Sequence, residues 1–307
     1  MDFLIGGLAA CGASVFSNPF DVVKTRMQLQ GELKARGHHQ VIYRNALHAG
    51  YLIAKNEGFR GLQKGLGTAL MMHFVRNSTR LGLYEIWYKR GLLTDERGRT
   101  IFYRSAIASA FTGAVGAFLG SPLFLIKTQL QSQAAREIKV GTQHGHPGLY
   151  GAFRKIYDRE GILGLWRGGV GTVMRAVVGS SSQLTSFALT KDLLMEREVF
   201  LRNPLLASFL ASIVGGIFQC FLMNPFDLVS VRLYNQGVDK SGRGVYYNGL
   251  IDAFIKIGRK EGFLGFYKGV TASYLRAAPH GAFCLVFWDI LKDLQRKYLK
   301  KTEPKIK

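Results

Sequence analysis

The sequence predicts an all-α membrane protein assembled from three repeated units, and three observations carry that reading. Pro19, Pro122 and Pro225 stand 103 positions apart. Glu57-Gly58, Glu160-Gly161 and Glu261-Gly262 follow at spacings of 103 and 101, and Lys64-Gly65, Arg167-Gly168 and Lys268-Gly269 come seven residues after each Glu. Three apolar stretches without a charged residue, Phe3 to Phe20, Ser105 to Ile126 and Asn203 to Phe226, sit just before or across the three prolines. A membrane-crossing helix takes ~20 apolar residues. A period near 100 exceeds the ~20 to 50 of solenoid repeats, so the units, at 1–91, 92–196 and 197–300, are expected to close into one body.

A second apolar segment follows each Lys/Arg-Gly pair: Leu66 to Val75, Ala176 to Thr190 and Ala277 to Trp288. These carry Ser, Thr, Gln and His, as suits helices with one wet face. Two segments per unit give six spans. In the first unit Gly6, Gly7, Ala9, Ala10, Gly12 and Ala13 form a small-residue face that lets helices approach closely in lipid. Pro19 then falls inside the helical pattern and is expected to kink it. The loop from 31 to 63 contains an amphipathic stretch near Asn45 to Asn56. The corresponding loops at 132–165 and 237–266 are also long and basic, while the connections between units, 91–102 and 192–203, are short.

The 307 residues carry a formal charge of +21, which raises the question of nucleic acid. No nucleic-acid partner is expected, because Lys and Arg are spread over all loops and helix ends, with no basic stripe interleaved with aromatics. Anionic headgroups account for the charge, at roughly 1 kcal/mol per basic residue near the surface. The long loops hold 15 Lys and Arg in 97 residues and the short ones 4 in 24, so equal densities leave the orientation open. Cys11, Cys220 and Cys284 show no disulfide or metal spacing. There is no cleavable signal pattern, and insertion through internal signals is expected. The loops carry no paired carboxylates, nucleophile with base, or metal spacing, so no enzyme and no metal are expected. His38, His39, His144 and His146 read as solvated loop residues.

After each proline comes an acid-x-x-base pattern, complete in Asp21 and Lys24. Charges inside a span are costly and face a bundle interior or water. Acid and base three apart share one helix face. Three such helices meeting at their kinks can form a ring of ion pairs that closes one end of a pore. Pro19-Phe20-Asp21-Val22-Val23-Lys24 and Pro225-Phe226-Asp227, with their Glu-Gly and Lys-Gly followers, resemble the mitochondrial carrier family, solute carrier family 25, over the whole chain and three times. The resemblance implies three-fold pseudosymmetry, six kinked transmembrane helices, three short matrix helices and alternating access in the mitochondrial inner membrane. It places the long loops in the matrix and both termini in the intermembrane space.

By the family's pairing, Asp21 meets Lys127 and Asp227 meets Lys24 in a matrix gate. The third pair would be Phe124 with Ser230. Both charges are missing together there, so neither side is orphaned in the interior. The family's glutamine brace, nine after each proline, is present as Gln28 and Gln131, with Tyr234 in the third unit. A two-bridge matrix gate is expected. On the cytoplasmic side Glu85, Lys191, Asp289 and Lys292 fit the family's second gate, and only Glu85 with Lys191 forms a complete pair. A hydrogen bond from Tyr88 to Asp289 is a further hypothesis.

Counting from the glycine that opens each even span, offsets +7, +11 and +15 share a face, since each step of four drifts only ~40°. They give Met72, Arg76 and Arg80, then Arg175, Gly179 and Gln183, then Arg276, His280 and Cys284. Four arginines and a histidine at mid-span, with no acid on that face, mark an anion path. A guanidinium fork suits carboxylate, phosphate or sulfate. In the family, offset +7 grips substrate. Arg175 and Arg276 there, and Arg80-Leu81-Gly82-Leu83-Tyr84, resemble the keto-acid and dicarboxylate branch. Met72, His73 and Ala176 depart from it. The opening Met1-Asp2-Phe3-Leu4 and Arg232-Leu233-Tyr234-Asn235-Gln236 are most similar to the member 35 subgroup, near the oxaloacetate carriers. The resemblance also implies structural cardiolipin at helix starts marked by Gly65, Gly168 and Gly269 and by Gly148 and Gly249. The expectation is a monomeric carrier of a small organic or inorganic anion (oxaloacetate, a dicarboxylate, sulfate or phosphoenolpyruvate), exchanging or proton-coupled. The alternative is a regulated proton leak like the uncoupling proteins.

Overall fold

The structure is a computed structural model that describes residues 2–34, 41–95, 101–197, 199–200, 203–239 and 242–302. His38 and His39 therefore lie outside the described residues. Helices are named in chain order: α1 (Asp2–Leu29), α2 (Ala46–Leu62), α3 (Leu66–Lys89), α4 (Phe102–Ser132), α5 (Leu149–Gly164), α6 (Gly169–Met195), α7 (Pro204–Asn235), α8 (Leu250–Glu261) and α9 (Val270–Thr302). The six long helices form a ring in which α3 lies between α1 and α4, α6 between α4 and α7, and α9 packs on α1 and more thinly on α7. At the long-loop end α1, α4 and α7 also touch one another. The short helices α2, α5 and α8 pack there on α1, α4 and α7, the odd helices of the six spans, while α3, α6 and α9 are the even ones.

The expected segments lengthen in the structure. The fourth and sixth spans begin at Gly169 and Val270, well before Ala176 and Ala277. Among the described residues, only 103–132 in α4 and 206–235 in α7 are both long and apolar enough to cross a membrane by composition alone. The reason lies in the sequence: α1 is diluted by Gly, Ala and Ser, and α3, α6 and α9 carry the arginines and hydroxyls of an interior face. Exposed Leu4, Leu8, Phe16, Ile107, Phe118, Phe209, Ile217, Phe221, Leu285 and Ile290 turn an apolar outer surface away from the bundle. An apolar surface of that extent marks a contact face.

Helices α1, α4 and α7 continue through Pro19, Pro122 and Pro225. A proline cannot donate to the carbonyl four residues earlier. In the first unit that carbonyl, of Val15, accepts a hydrogen bond from Nε2 of Gln63 at 3.1 Å. In the second, Phe118 accepts from the indole of Trp166 at 3.0 Å. The third unit instead stacks Tyr267 on Phe221 with ring centroids 4.5 Å apart. The residue before each Lys/Arg-Gly therefore serves the proline of its own unit.

The two glycine series have distinct local reasons. Gly58, Gly161 and Gly262 take φ of 67°, 69° and 74°, which ends the helical turn so that the preceding Glu faces inward. Gly65, Gly168 and Gly269, at φ of 71°, 81° and 77°, precede α3, α6 and α9. A Cβ on them would lie 3.2 Å from Gln131, 3.1 Å from Tyr234 and 3.2 Å from Gln28. The end of each odd helix thus seats on the opening glycine of a neighbouring even helix. The apolar core lies at this end, around Val22, Leu29, Ile53, Leu125, Ile126, Ile156 and Leu165, with a second cluster at Leu228, Leu233 and Ile257.

Candidate functional site

Each Glu of the Glu-Gly pairs anchors a loop. The carboxylate of Glu57 accepts from both terminal nitrogens of Arg26 at 2.7 and 2.9 Å, from Lys64 at 2.5 Å and from the amide of Ala135 at 3.0 Å. Burial opposes ionisation of Glu57, but these bonds outweigh it and hold the carboxyl down at about 2. Glu261 repeats the pattern with Arg232 at 2.6 and 3.0 Å and Lys268 at 2.6 Å. These clamps fix the ends of α1 and α7 and so aim the residues one and two turns earlier at the axis.

On that axis two interhelical ion pairs form. Lys127 of α4 pairs with Oδ2 of Asp21 in α1. Lys24 of α1 pairs with Oδ2 of Asp227 in α7 at 2.5 Å. Gln28 donates to the same Oδ2 at 2.8 Å. Gln131 departs from the expected brace. Its Oε1 accepts from Thr25 at 3.0 Å and its Nε2 donates to Asn18 at 3.2 Å, so it ties α4 to α1 beside the bridge without touching it. The third slot is filled by aromatics. Phe124 packs on Tyr234 with centroids 5.3 Å apart, and the Tyr234 hydroxyl bonds Ser121 at 2.8 Å and Thr172 at 2.6 Å. Ser230 bonds back to the carbonyl of Phe226 at 2.6 Å. Lys127 and Arg175 lie over the Phe124 ring at 5.3 and 5.0 Å.

The arginines of the even helices stand directly above these pairs. Nη1 of Arg175 is 3.6 Å from Oδ1 of Asp227, and Nε of Arg276 is 3.7 Å from Oδ1 of Asp21. Arg76 feels the positive charges of Arg175, Arg80 and Arg276. His280 bonds the hydroxyl of Ser17 at 2.9 Å and lies against His73 with ring centroids 4.9 Å apart. Spacing brought out His280 but not its ring contact with His73, because that contact joins α3 to α9. Nε and Nη2 of Arg175 and Nε of Arg276 are buried without a hydrogen bond. Arg76, Arg175, Arg276, Lys24 and Lys127 thus gather around the two carboxylates Asp21 and Asp227, with Arg80 one turn from Arg76 on α3. Such a cluster with free donors is built to take an anion.

Two members of the predicted stripe, Met72 and Gly179, meet neighbouring helices instead. Met72 is apolar and packs into the core near Gly120. A Cβ on Gly179 would lie 2.9 Å from the sulfur of Met223, so that position is a close approach of α6 to α7. Ala176 is half-buried and Gln183 exposed, while the backbone of Gln183 faces Gly215 of α7. At the short-loop end the expected pairs are not made. Glu85 pairs with Lys89 on its own helix at 2.6 Å, and Lys191 lies over Phe187 at 5.9 Å. Lys292 lies over Trp288 at 5.3 Å, and Tyr88 and Asp289 are both exposed. Two ion pairs here, Lys89 with Glu85 and Arg296 with Asp293, each stay within one helix.

His144 and His146 are not solvated as expected. His146 is buried and bonds Oε1 of Gln129 at 2.7 Å, and His144 bonds the carbonyl of Asn235 at 2.9 Å. Each uses Nε2 for a polar group that the loop would otherwise leave unpaired.

Gly168, with its positive φ before α6, and Gly249, before α8, border one cavity of about 570 Å³ together with Arg167 and Arg243. Two helix starts and two guanidinium groups there form an anion-attracting recess. Gly65 and Gly269 hold the equivalent turns before α3 and α9, and Gly148 the start of α5.

Comparison with known proteins matches this architecture. The family model described as mitochondrial carrier protein matches three times, at residues 1–95, 99–198 and 202–299. The chain is 49% identical over 300 residues to mouse solute carrier family 25 member 35, covering 98% of this chain and 100% of that one. It is 40% identical to the mitochondrial oxaloacetate transport protein of Schizosaccharomyces pombe, covering 97% and 92%. It is 35% identical to the bovine mitochondrial 2-oxoglutarate/malate carrier protein, covering 96% and 90%.

Proposed function

The chain belongs to the mitochondrial carrier family, a family of transporters rather than enzymes, and on that footing we propose that it moves a small multivalent anion across the inner mitochondrial membrane by alternating access. The observation that carries the proposal is the set of free donors on Arg175 and Arg276 beside the gate carboxylates. A dicarboxylate or keto-dicarboxylate offers two oxyanion ends to two guanidinium forks. The relatives named for oxaloacetate and for 2-oxoglutarate and malate support that class. Oxaloacetate is the first substrate to test, followed by malate-like dicarboxylates, sulfate and phosphoenolpyruvate.

Asp21, Lys24, Lys127 and Asp227 with Gln28 act as the matrix gate, and Gln131 holds α4 to α1 beside it. Glu85, Lys191, Asp289, Lys292 and Tyr88 form the cytoplasmic set that engages in the opposite state. Substrate on Arg175 and Arg276 competes for Asp227 and Asp21, which loosens the gate from above. His280 and Arg76 line the path toward Arg80. The protein works as a monomer, with cardiolipin held at helix starts including Gly168 and Gly249.

Uptake of labelled oxaloacetate or malate into liposomes tests this. Wild-type protein transports, and Arg276→Ala abolishes transport while thermal unfolding stays cooperative. Unchanged uptake in Arg276→Ala removes the residue from the site. Proton flux without any anion substrate would replace the carrier reading with a proton leak.

A further inference from the structure

The second repeat closes its long loop with different parts from the other two. Seven residues after Pro19 and Pro225 stand Arg26 and Arg232, which grip Glu57 and Glu261. Three residues before α2 and α8 stand Tyr43 and Tyr247. The corresponding residues in the second repeat are Gln129 and His146. They are shorter, and they bond each other. Nε2 of Gln129 donates to the carbonyl of Tyr234 at 3.0 Å, which leaves its Oε1 to accept from Nε2 of His146 at 2.7 Å. The ring therefore carries its proton on Nε2, and Nδ1 is left to whatever faces it.

The imidazole borders a cavity of about 370 Å³. His144, His146, Lys155, Arg159 and Arg167 line it, and Glu160 is the one carboxylate in its wall. Glu160 is already engaged by Arg167 at 2.9 Å. His146 is only 7% exposed, and its Nδ1 is buried without a hydrogen bond. Nε of Arg167 is likewise buried without one, and its Nη1 makes only the ion pair to Oε2 of Glu160. Lys155 and Arg159 stand at the exposed rim, each donating to a loop carbonyl, at 2.9 and 3.2 Å. A guanidinium N–H and an imidazole nitrogen left unpaired and buried beside surplus positive charge are costly unless a partner fills the space.

We propose that this cavity is a second anion site, distinct from the central one, that binds a phosphate-type oxyanion from the long-loop side through Arg167 and His146, with Lys155 and Arg159 closing the rim. The oxyanion belongs to free phosphate or a small phosphorylated metabolite, or to a phospholipid headgroup. The second source is in reach because Arg167 and Gln236 also border the cavity at Gly168 and Gly249. Binding takes up a proton. With the cavity empty, burial and the positive field of His144 and Lys155 hold His146 down at about 4. Arg159, Arg167 and Glu160 are the other charged groups on the cavity wall. A doubly charged oxyanion reverses the field, so Nδ1 gains a proton and donates to it.

The test titrates inorganic phosphate into the full-length protein in phosphatidylcholine nanodiscs, at about pH 6 and about pH 8, and reads thermal stability. Phosphate stabilises the wild type, with the tighter response at the lower pH. Gln129→Arg combined with His146→Tyr installs the pair used by the other repeats, fills the cavity, and weakens phosphate binding about tenfold or more. Arg276→Ala, which alters only the central cavity, keeps the phosphate response. Should the double variant fail to fold, Lys155→Gln with Arg159→Gln at the rim weakens binding several-fold. If a headgroup is the natural occupant, nanodiscs containing cardiolipin stabilise the wild type, suppress the phosphate response, and lose their effect in the double variant. The proposal falls if neither phosphate nor cardiolipin stabilises the wild type. It falls equally if the double variant responds like the wild type, or if Arg276→Ala abolishes the phosphate response.

Discussion

Arg175 shares a carboxylate with the gate: its Nη1 lies 3.6 Å from Oδ1 of Asp227, whose Oδ2 takes Lys24 at 2.5 Å. Arg276 and Asp21 repeat the arrangement at 3.7 Å, with Lys127 on the other oxygen. Substrate reader and latch are therefore one network, two layers deep. An anion drawn to the guanidinium groups weakens their hold on the carboxylates and changes the field that the lysines feel. No separate relay along a helix is needed to connect binding with opening.

Asp227→Asn removes the negative charge that Lys24 and Arg175 both face. Breaking one partner of a buried pair costs about 3–5 kcal/mol, so the melting temperature in detergent falls sharply. Adding Lys24→Gln recovers much of that loss, because the orphaned ammonium is gone. Equal melting temperatures for Asp227→Asn and wild type would show that the pair does not hold the long-loop end.

The aromatic third slot is replaceable by charge. Phe124→Asp with Ser230→Lys adds an ion pair between α4 and α7 where Phe124 now rests on Tyr234. Liposome uptake slows about tenfold, equivalent to ~1.4 kcal/mol on the opening barrier, while thermal stability rises. Uptake at the wild-type rate would count against the gate pairing.

The carbonyl freed by each proline gives a local test. Trp166→Phe keeps the ring contact with Phe118 and removes the donor that satisfies the carbonyl at 3.0 Å. The expected loss is about 1–3 kcal/mol, seen as a lower melting temperature. Gln63→Trp should be tolerated, since the indole can reach Val15 as it reaches Phe118 in the second unit. A neutral Trp166→Phe would mean that the carbonyl finds another partner.

Glu32, in the loop after α1, gives a pH signature. Burial raises its carboxyl from the ordinary 4.5 to about 7, against the pull of Arg232. Between those two values the folded state holds a proton that the unfolded chain has released. Its contribution is therefore present below about 4.5 and is lost as pH rises to about 7. Glu57, held near 2, behaves oppositely and loses its contribution only in acid. Glu32→Gln should flatten the fall in melting temperature between about pH 5 and 7 and leave the acid limb unchanged. Parallel curves for wild type and Glu32→Gln would remove Glu32 as the titrating group.

Much of the site was legible because it repeats. Three copies of one pattern brought out Asp21, Lys24, Lys127 and Asp227 by position, and a period of four brought out Arg76, Arg175 and Arg276. Spacing could not assign Met72 to the core or Gly179 to a helix contact, because the width of an interior face depends on how far neighbouring helices stand off. Gln131 was misassigned for a similar reason. A side chain nine residues past a proline reaches whichever neighbour is nearest, and here Thr25 and Asn18 are nearer than the bridge.

The sequence alone determined the three-unit helical plan, the sites of the breaks, and the surplus of positive charge inside, since these follow from local composition and period. Only the tertiary structure decided which end is latched, that Arg175 and Arg276 rest on the latch carboxylates, and that Gln129 and His146 open a cavity in one repeat. Each of those depends on distances between side chains on different elements, which helix packing sets and no local pattern encodes.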